Sequence, residues 1–142
     1  TSPHPAMAAF DAPNREMCVV DRSKTNTPLQ ALVTLNDPQF TEAARVFASS
    51  ILQEQTANAD RSRVEQAFER ISSRPPTGPE VTMIAQFLDA ERARFQKSPI
   101  DAERVIAVGE YPVTDDLDPV EHAAWTQIAT LLLNLSEVLT RQ

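Results

Sequence analysis

The chain has 142 residues, 42% of them hydrophobic and 23% charged, with a formal net charge of −7, which describes one globular domain with a sizeable core and excludes an intrinsically disordered segment. The acid excess falls late, eight acidic residues against two basic ones over residues 101–142, and such a surface repels phosphate backbones and anionic lipid, arguing against nucleic-acid and membrane partners. No apolar run approaches the roughly 18 residues of a membrane span. Cys18 is the single cysteine and cannot close an internal disulfide, and the C-x-x-C-H attachment of a c-type haem is absent.

Two glycines against 11 prolines point to an all-α fold. Sheets and barrels need glycine at turns and bulges, whereas Pro28, Pro38, Pro79, Pro99 and Pro119 each lie just inside an expected helix start, where the missing N–H costs nothing. Residues 1–24 show no helical period. Pro3, Pro5 and Pro13 break them into apolar clusters, and they read as an extended N-terminal arm that packs Met7, Phe10, Met17 and Val19 onto the helices. Cys18, between Met17 and Val19, reads as a small buried apolar residue of that arm. Residues 25–142 read as one irregular helical bundle of five to six helices. The chain opens on Thr1 without a recognisable leader and reads as a piece of a longer or processed polypeptide.

Thr27 and Pro28 start a short helix carrying Leu29, Leu32, Val33 and Leu35, which Asn36-Asp37-Pro38 stops. Asp37 then caps a second helix with Pro38 at its first position and Phe40, Ala43, Ala44, Phe47, Ala48 and Ile51 on one face. Asp60 is the expected N-cap of a helix over 61–73 that buries Val64, Ala67, Phe68 and Ile71. Arg74-Pro75-Pro76 ends it, and Thr77 with Glu80 makes a T-x-x-E capping box for a helix to about Lys97, burying Val81, Ile84, Leu88 and Phe95 with Phe87 alongside. The short connection predicts an antiparallel hairpin of these two.

Ser98, Pro99 and Asp101 signal a short helix over 100–108, with Gly109 as its left-handed end. An acidic loop over 110–117 follows. Asp118-Pro119 with Glu121 starts the last long helix, whose stripe is Val120, Ala124, Ile128, Leu131, Leu132 and Leu135. Trp125, Ala129 and Leu133 make it apolar on other sides too, which places it at the centre of the bundle.

The runs MAAFDAPNREMCVVDRSKTNTPLQALVTLNDPQF and VGEYPVTDDLDPVEHAAWTQIATLLLNLSEVLTRQ together resemble a planctomycete-specific domain of unknown function. In that family the domain closes large, mostly secreted proteins that bear a cytochrome-c-like domain upstream. The resemblance implies an extracytoplasmic or periplasmic setting and the upstream domains of the parent protein as partners, but no chemistry, because the family has none assigned. Any haem of such a parent would be bound elsewhere. Ser136 stands where the family pattern has an acid, which weakens a ligand role there.

No convergent chemical set emerges from the residues. Glu110, Asp115, Asp116 and Asp118 lack the order of a calcium loop, and Asp118 has a sufficient task as N-cap, so a solvated loop is the expectation. Asp11, Arg15, Glu16, Asp21, Arg22 and Lys24 alternate in sign through the apolar arm and read as salt bridges that hold it. Neither His4 nor His122 has neighbours at zinc-ligand spacing, and His122 in a first helical turn is poorly placed for a cation. The expectation is therefore no metal, no cofactor and no catalytic set. The reading is a non-catalytic C-terminal module acting in packing and partner contact. The alternative is half of a glycan-binding or glycan-processing site completed by a missing upstream domain, with polysaccharide as ligand and Asp11, Arg15, Arg22, Asn26, Asp115 and Asp116 as the candidate contact residues.

Overall fold

The computed structural model describes residues 37–54, 60–114 and 116–139. Among these there are six helices and no strand: α1 Pro38–Gln53, α2 Asp60–Ser72, α3 Gly78–Lys97, α4 Pro99–Ile106, α5 Pro119–Leu133 and α6 Ser136–Leu139. The fold is all-α. The expected arm (1–24) and the short helix after Thr27-Pro28 lie outside the described residues, as does Cys18.

The helix starts follow the capping chemistry. The Asp37 carboxylate accepts the Gln39 N–H at 2.9 Å, and the Asp118 carboxylate accepts the Glu121 N–H at 2.9 Å, each ahead of a proline. At α3 the Glu80 carboxylate takes the Thr77 backbone N–H at 2.6 Å and its hydroxyl at 2.7 Å. Arg74 holds Glu80 as well, at 2.7 and 3.1 Å, and this hydrogen bonding keeps the Glu80 carboxyl down at about 2. The Ser98 backbone N–H donates to the Arg94 and Phe95 carbonyls at the end of α3, both at 3.2 Å, and its hydroxyl donates to Asp101 in α4 at 2.7 Å.

α2 and α3 form the expected antiparallel hairpin. Asp60 at the start of α2 meets Arg92 near the end of α3, while Arg74 just past α2 meets Glu80 in the first turn of α3. α2 opens on Asp60 itself, and its carboxylate serves Arg92, 32 residues on, instead of capping its own helix. The α2 end carries Ser73 at φ 60, the left-handed turn that directs the chain into Pro75-Pro76.

α5 touches every other described helix. Residues 122–126 are buried without a break, followed by Ile128, Ala129 and Leu132, so the helix is enclosed nearly all round and not on one stripe. Alanines at 123, 124 and 129, each at most 2% exposed, leave room for the neighbouring helices to approach closely. Around it lie Ala44, Ala48 and Ile51 of α1, Val64, Ala67 and Phe68 of α2, Val81, Ile84, Leu88 and Phe95 of α3, and Ala102 of α4.

Several expected core positions, among them Phe47, Ile71, Val120 and Leu135, are half-buried against the core, and two are exposed. Ala43 is exposed on α1, while the Arg45 side chain, two residues later, turns inward. Leu131 is 38% exposed while Leu132 is 1% exposed: neighbouring helical positions differ by about 100° in direction, and none of the described helices covers the face at 131. Leu132→Ala is therefore expected to lower the unfolding free energy by about 3 kcal/mol, and Leu131→Ala by less than about 1 kcal/mol. Urea denaturation of the two variants checks this, and equal losses would put both side chains in the core.

Candidate functional site

Among the described residues three arginines each gather two or more polar partners. The first is buried. Arg45, on α1 between Ala44 and Ala48, is 2% exposed, and its guanidinium faces the backbone that follows α4. Its Nε donates to the Val108 carbonyl at 3.2 Å, one Nη to the Pro112 carbonyl at 3.3 Å, and the other Nη to the Tyr111 carbonyl at 2.6 Å. Glu42, one turn back on α1, accepts the Tyr111 backbone N–H and lies 3.9 Å from the guanidinium. A planar fork with five donors suits three carbonyls fanned across one turn.

Gly109 completes this clasp. It has φ 97, and a Cβ there would lie 2.5 to 2.7 Å from the Glu42 side-chain carbons, so the position needs glycine both for its backbone and for the closeness of α1. The expected left-handed turn is present. It falls three residues beyond the end of α4 at Ile106, because the Val108 carbonyl is directed to Arg45 and not along the helix.

His122 backs the clasp from α5. Its Nε2 lies 3.1 Å from the Arg45 backbone oxygen; a carbonyl only accepts, so Nε2 carries the proton. Burial, with the Arg45 cation nearby, holds the imidazole pKa below its ordinary 6.5, against a smaller opposing pull from the hydrogen bond to the Arg45 carbonyl. The ring is thus neutral in the folded protein, in keeping with its place in a first helical turn. Because the unfolded chain takes up this proton more readily, the neutral ring's contribution is complete above pH 6.5. It is lost as pH falls from there toward the folded-state value, by at most about 1.4 kcal/mol per pH unit. His122→Gln keeps an N–H donor without titrating. Its melting temperature is expected to fall less than that of the wild type between pH 7.5 and 5, and parallel curves would remove His122 as the cause.

The second place joins three helices. Arg92 of α3 is held by two carboxylates at once: Asp60 of α2 at 2.6 and 2.8 Å, and Glu121 of α5 through Nε at 2.8 Å and a second close contact from Nη. The hydrogen bonds to Arg92 hold Asp60 below the usual carboxylate range, and those to Asp60 and Glu121 raise the Arg92 pKa further. Glu121 also accepts the Trp125 indole N–H at 2.9 Å. The third place is Arg74, which bonds Glu80 and, at 2.8 and 2.9 Å, Glu137 of α6, with its guanidinium 4.7 Å from the Phe68 ring centroid. Each arginine binds two helices or a helix and a loop. With both carboxylates bonded to one guanidinium in each case, these sets serve as ties.

The residues expected to matter divide sharply. Asp11, Arg15, Arg22, Asn26 and Asp115 lie outside the described residues. Asp116 is exposed in the turn before α5, and Asp118 caps that helix as expected. Among the described residues no three His, Cys, Asp or Glu side chains gather to hold a metal ion, and no helix is long and apolar enough to cross a membrane. Arg45, Glu42 and Arg92 were missed from sequence. The available signal was Arg45 itself, a charge set between two alanines of an apolar stripe.

Helices tied to one another by arginine, around one enclosed central helix, define an all-α domain whose gathered charges hold its own elements together. Residues 1–88 match the family model PSD1, described as Protein of unknown function (DUF1553), and the chain belongs to that family. The match takes in α1, α2 and the first half of α3; the late stretch from 108 onward lies beyond it. No curated protein and no solved structure matches the chain.

Proposed function

We propose that this domain is a non-catalytic helical module closing a larger extracytoplasmic protein of the planctomycete type, where it packs against the upstream domains of the same polypeptide. The observation that carries this reading is the use of the arginines. Arg45, Arg74 and Arg92 are each directed at a carbonyl fan or a carboxylate pair on another element of the same fold. A guanidinium so engaged stabilises a shape and has little left for a substrate. Its acidic C-terminal half favours a protein partner over nucleic acid or anionic lipid.

Thermal unfolding of this chain and of the intact parent, each with divalent metal ions and a panel of soluble polysaccharides, tests the reading, since a ligand that binds only the folded state raises the melting temperature. The module reading expects no rise in either. A rise confined to the parent with a polysaccharide would establish the glycan site completed by an upstream domain, and a rise in this chain alone would place a site within it.

A further inference from the structure

The clasp on the loop 108–114 has a titratable group built into its back. Every residue from Gly109 to Val113 is exposed, so the loop buries little apolar surface. It is held to α1 by hydrogen bonds, three from the Arg45 guanidinium and one to the Glu42 carboxylate. His122 is 1% exposed and bonds the backbone oxygen of the same arginine. One residue of α1 thus meets the loop with its side chain and the imidazole with its carbonyl.

A proton added to His122 leaves that bond in place, because Nε2 donates in both forms of the ring. The charge is what changes. Imidazolium and guanidinium then share one buried region, where like charges are poorly screened. Among the described residues the surrounding charges offer little relief. Asp118 caps α5, Glu121 is bonded to Arg92, Glu91 of α3 pairs with Arg94, and Asp101, Glu103 and Arg104 of α4 are exposed. Glu42 stands beside the guanidinium, and Arg45 is the charge that acts on the ring.

The repulsion has two ways out. Unfolding the bundle would expose α5, whose buried residues are enclosed by the other described helices. Opening the loop loses four hydrogen bonds and little apolar burial, and it lets water reach the guanidinium, so it is the cheaper route. We propose that protonation of His122 releases the loop 108–114 from Arg45, so that acid uncovers the guanidinium while the helices stay folded. The device does not depend on the module reading above. In the opened form the ring takes its proton nearer the ordinary 6.5, whereas burial and Arg45 hold it lower in the closed form. Opening therefore grows as pH falls from 6.5 toward the closed-form value, by at most about tenfold per pH unit.

Amide hydrogen exchange of the 142-residue chain, corrected for its intrinsic pH dependence, tests the device. The Tyr111 N–H, bonded to Glu42, reports the loop, and the Leu88 N–H within α3 reports the bundle. Between pH 7.5 and 5 the opening constant at Tyr111 is expected to rise at least about threefold, with a smaller change at Leu88. Equal rises at the two amides, or none at Tyr111, overturn the proposal. His122→Gln is expected to abolish the excess rise at Tyr111; an excess that persists assigns the loosening to Glu42 and overturns the proposal as well. Gly109→Ala supplies the reciprocal measurement, since its Cβ would press on the Glu42 side chain and open the clasp from the loop side. By linkage the His122 ring, followed by NMR and told from His4 by its loss in His122→Gln, should then titrate nearer 6.5 than in the wild type. An unmoved titration overturns the coupling of ring and loop.

Discussion

Replacing Arg45 with methionine is expected to lower the unfolding free energy by about 3–5 kcal/mol, the range seen when one partner of a buried charged set is removed. The substitution keeps most of the side chain's length and apolar contact while deleting every donor. Three carbonyls, of Val108, Tyr111 and Pro112, then lose their partner, and each buried acceptor left unpaired costs about 1–3 kcal/mol. The sum of those costs exceeds the expected loss because the loop is at the surface and can turn some of its carbonyls to water. That recovery is itself observable: amide hydrogen exchange over 108–114 should quicken far more than exchange in α3. Arg45→Lys separates charge from geometry, since an ammonium reaches one or two of the carbonyls but has no planar fork. It should fall between wild type and methionine. A loss below about 1 kcal/mol for methionine would mean that Glu42 and Gly109 hold the loop unaided.

What the sequence showed and what it concealed follow from the range of the interactions. Asp37, Thr77, Ser98 and Asp118 all cap or border helices where their spacing to proline and glutamate indicated, because a cap is decided within four residues. Val81, Ile84, Leu88 and Phe95 are buried as their period required. The central place of α5 was readable from its apolar residues on every side. By contrast, Arg45 reaches 63 to 67 residues along the chain, and nothing near it announces carbonyls as its partners. Asp60 had a local task available as a cap and was drawn instead to Arg92, a choice settled only when α2 folds back on α3. Leu131 and Leu132 sit in equivalent surroundings by sequence, and only the packing of the described helices against one side of α5 distinguishes them. The candidate contact residues Asp11, Arg15, Arg22 and Asn26 lie outside the described residues.

Trp125→Ala is expected to cost about 3–5 kcal/mol and, unlike Leu132→Ala, to disturb the charged tie above it. Trp125 is 1% exposed at the centre of α5, so truncation opens the largest cavity any single substitution in this core can make. Its indole N–H also donates to Glu121, the carboxylate that holds Arg92 and through it Asp60. Removing the ring thus frees one acceptor position on Glu121 and admits water beside the three-helix junction. Trp125→Phe isolates the second effect: it leaves much of the volume filled and deletes only the donor, for an expected loss of about 1–2 kcal/mol from the missing hydrogen bond and the small residual gap. If the tie is coupled to the ring, Trp125→Phe combined with Glu121→Gln should cost less than the two single changes added together. Additive losses would show that the core and the arginine junction stabilise this domain independently. Denaturant unfolding of the four proteins decides between these, because a ring that merely fills space has no energetic dependence on the charge of the residue one turn before it.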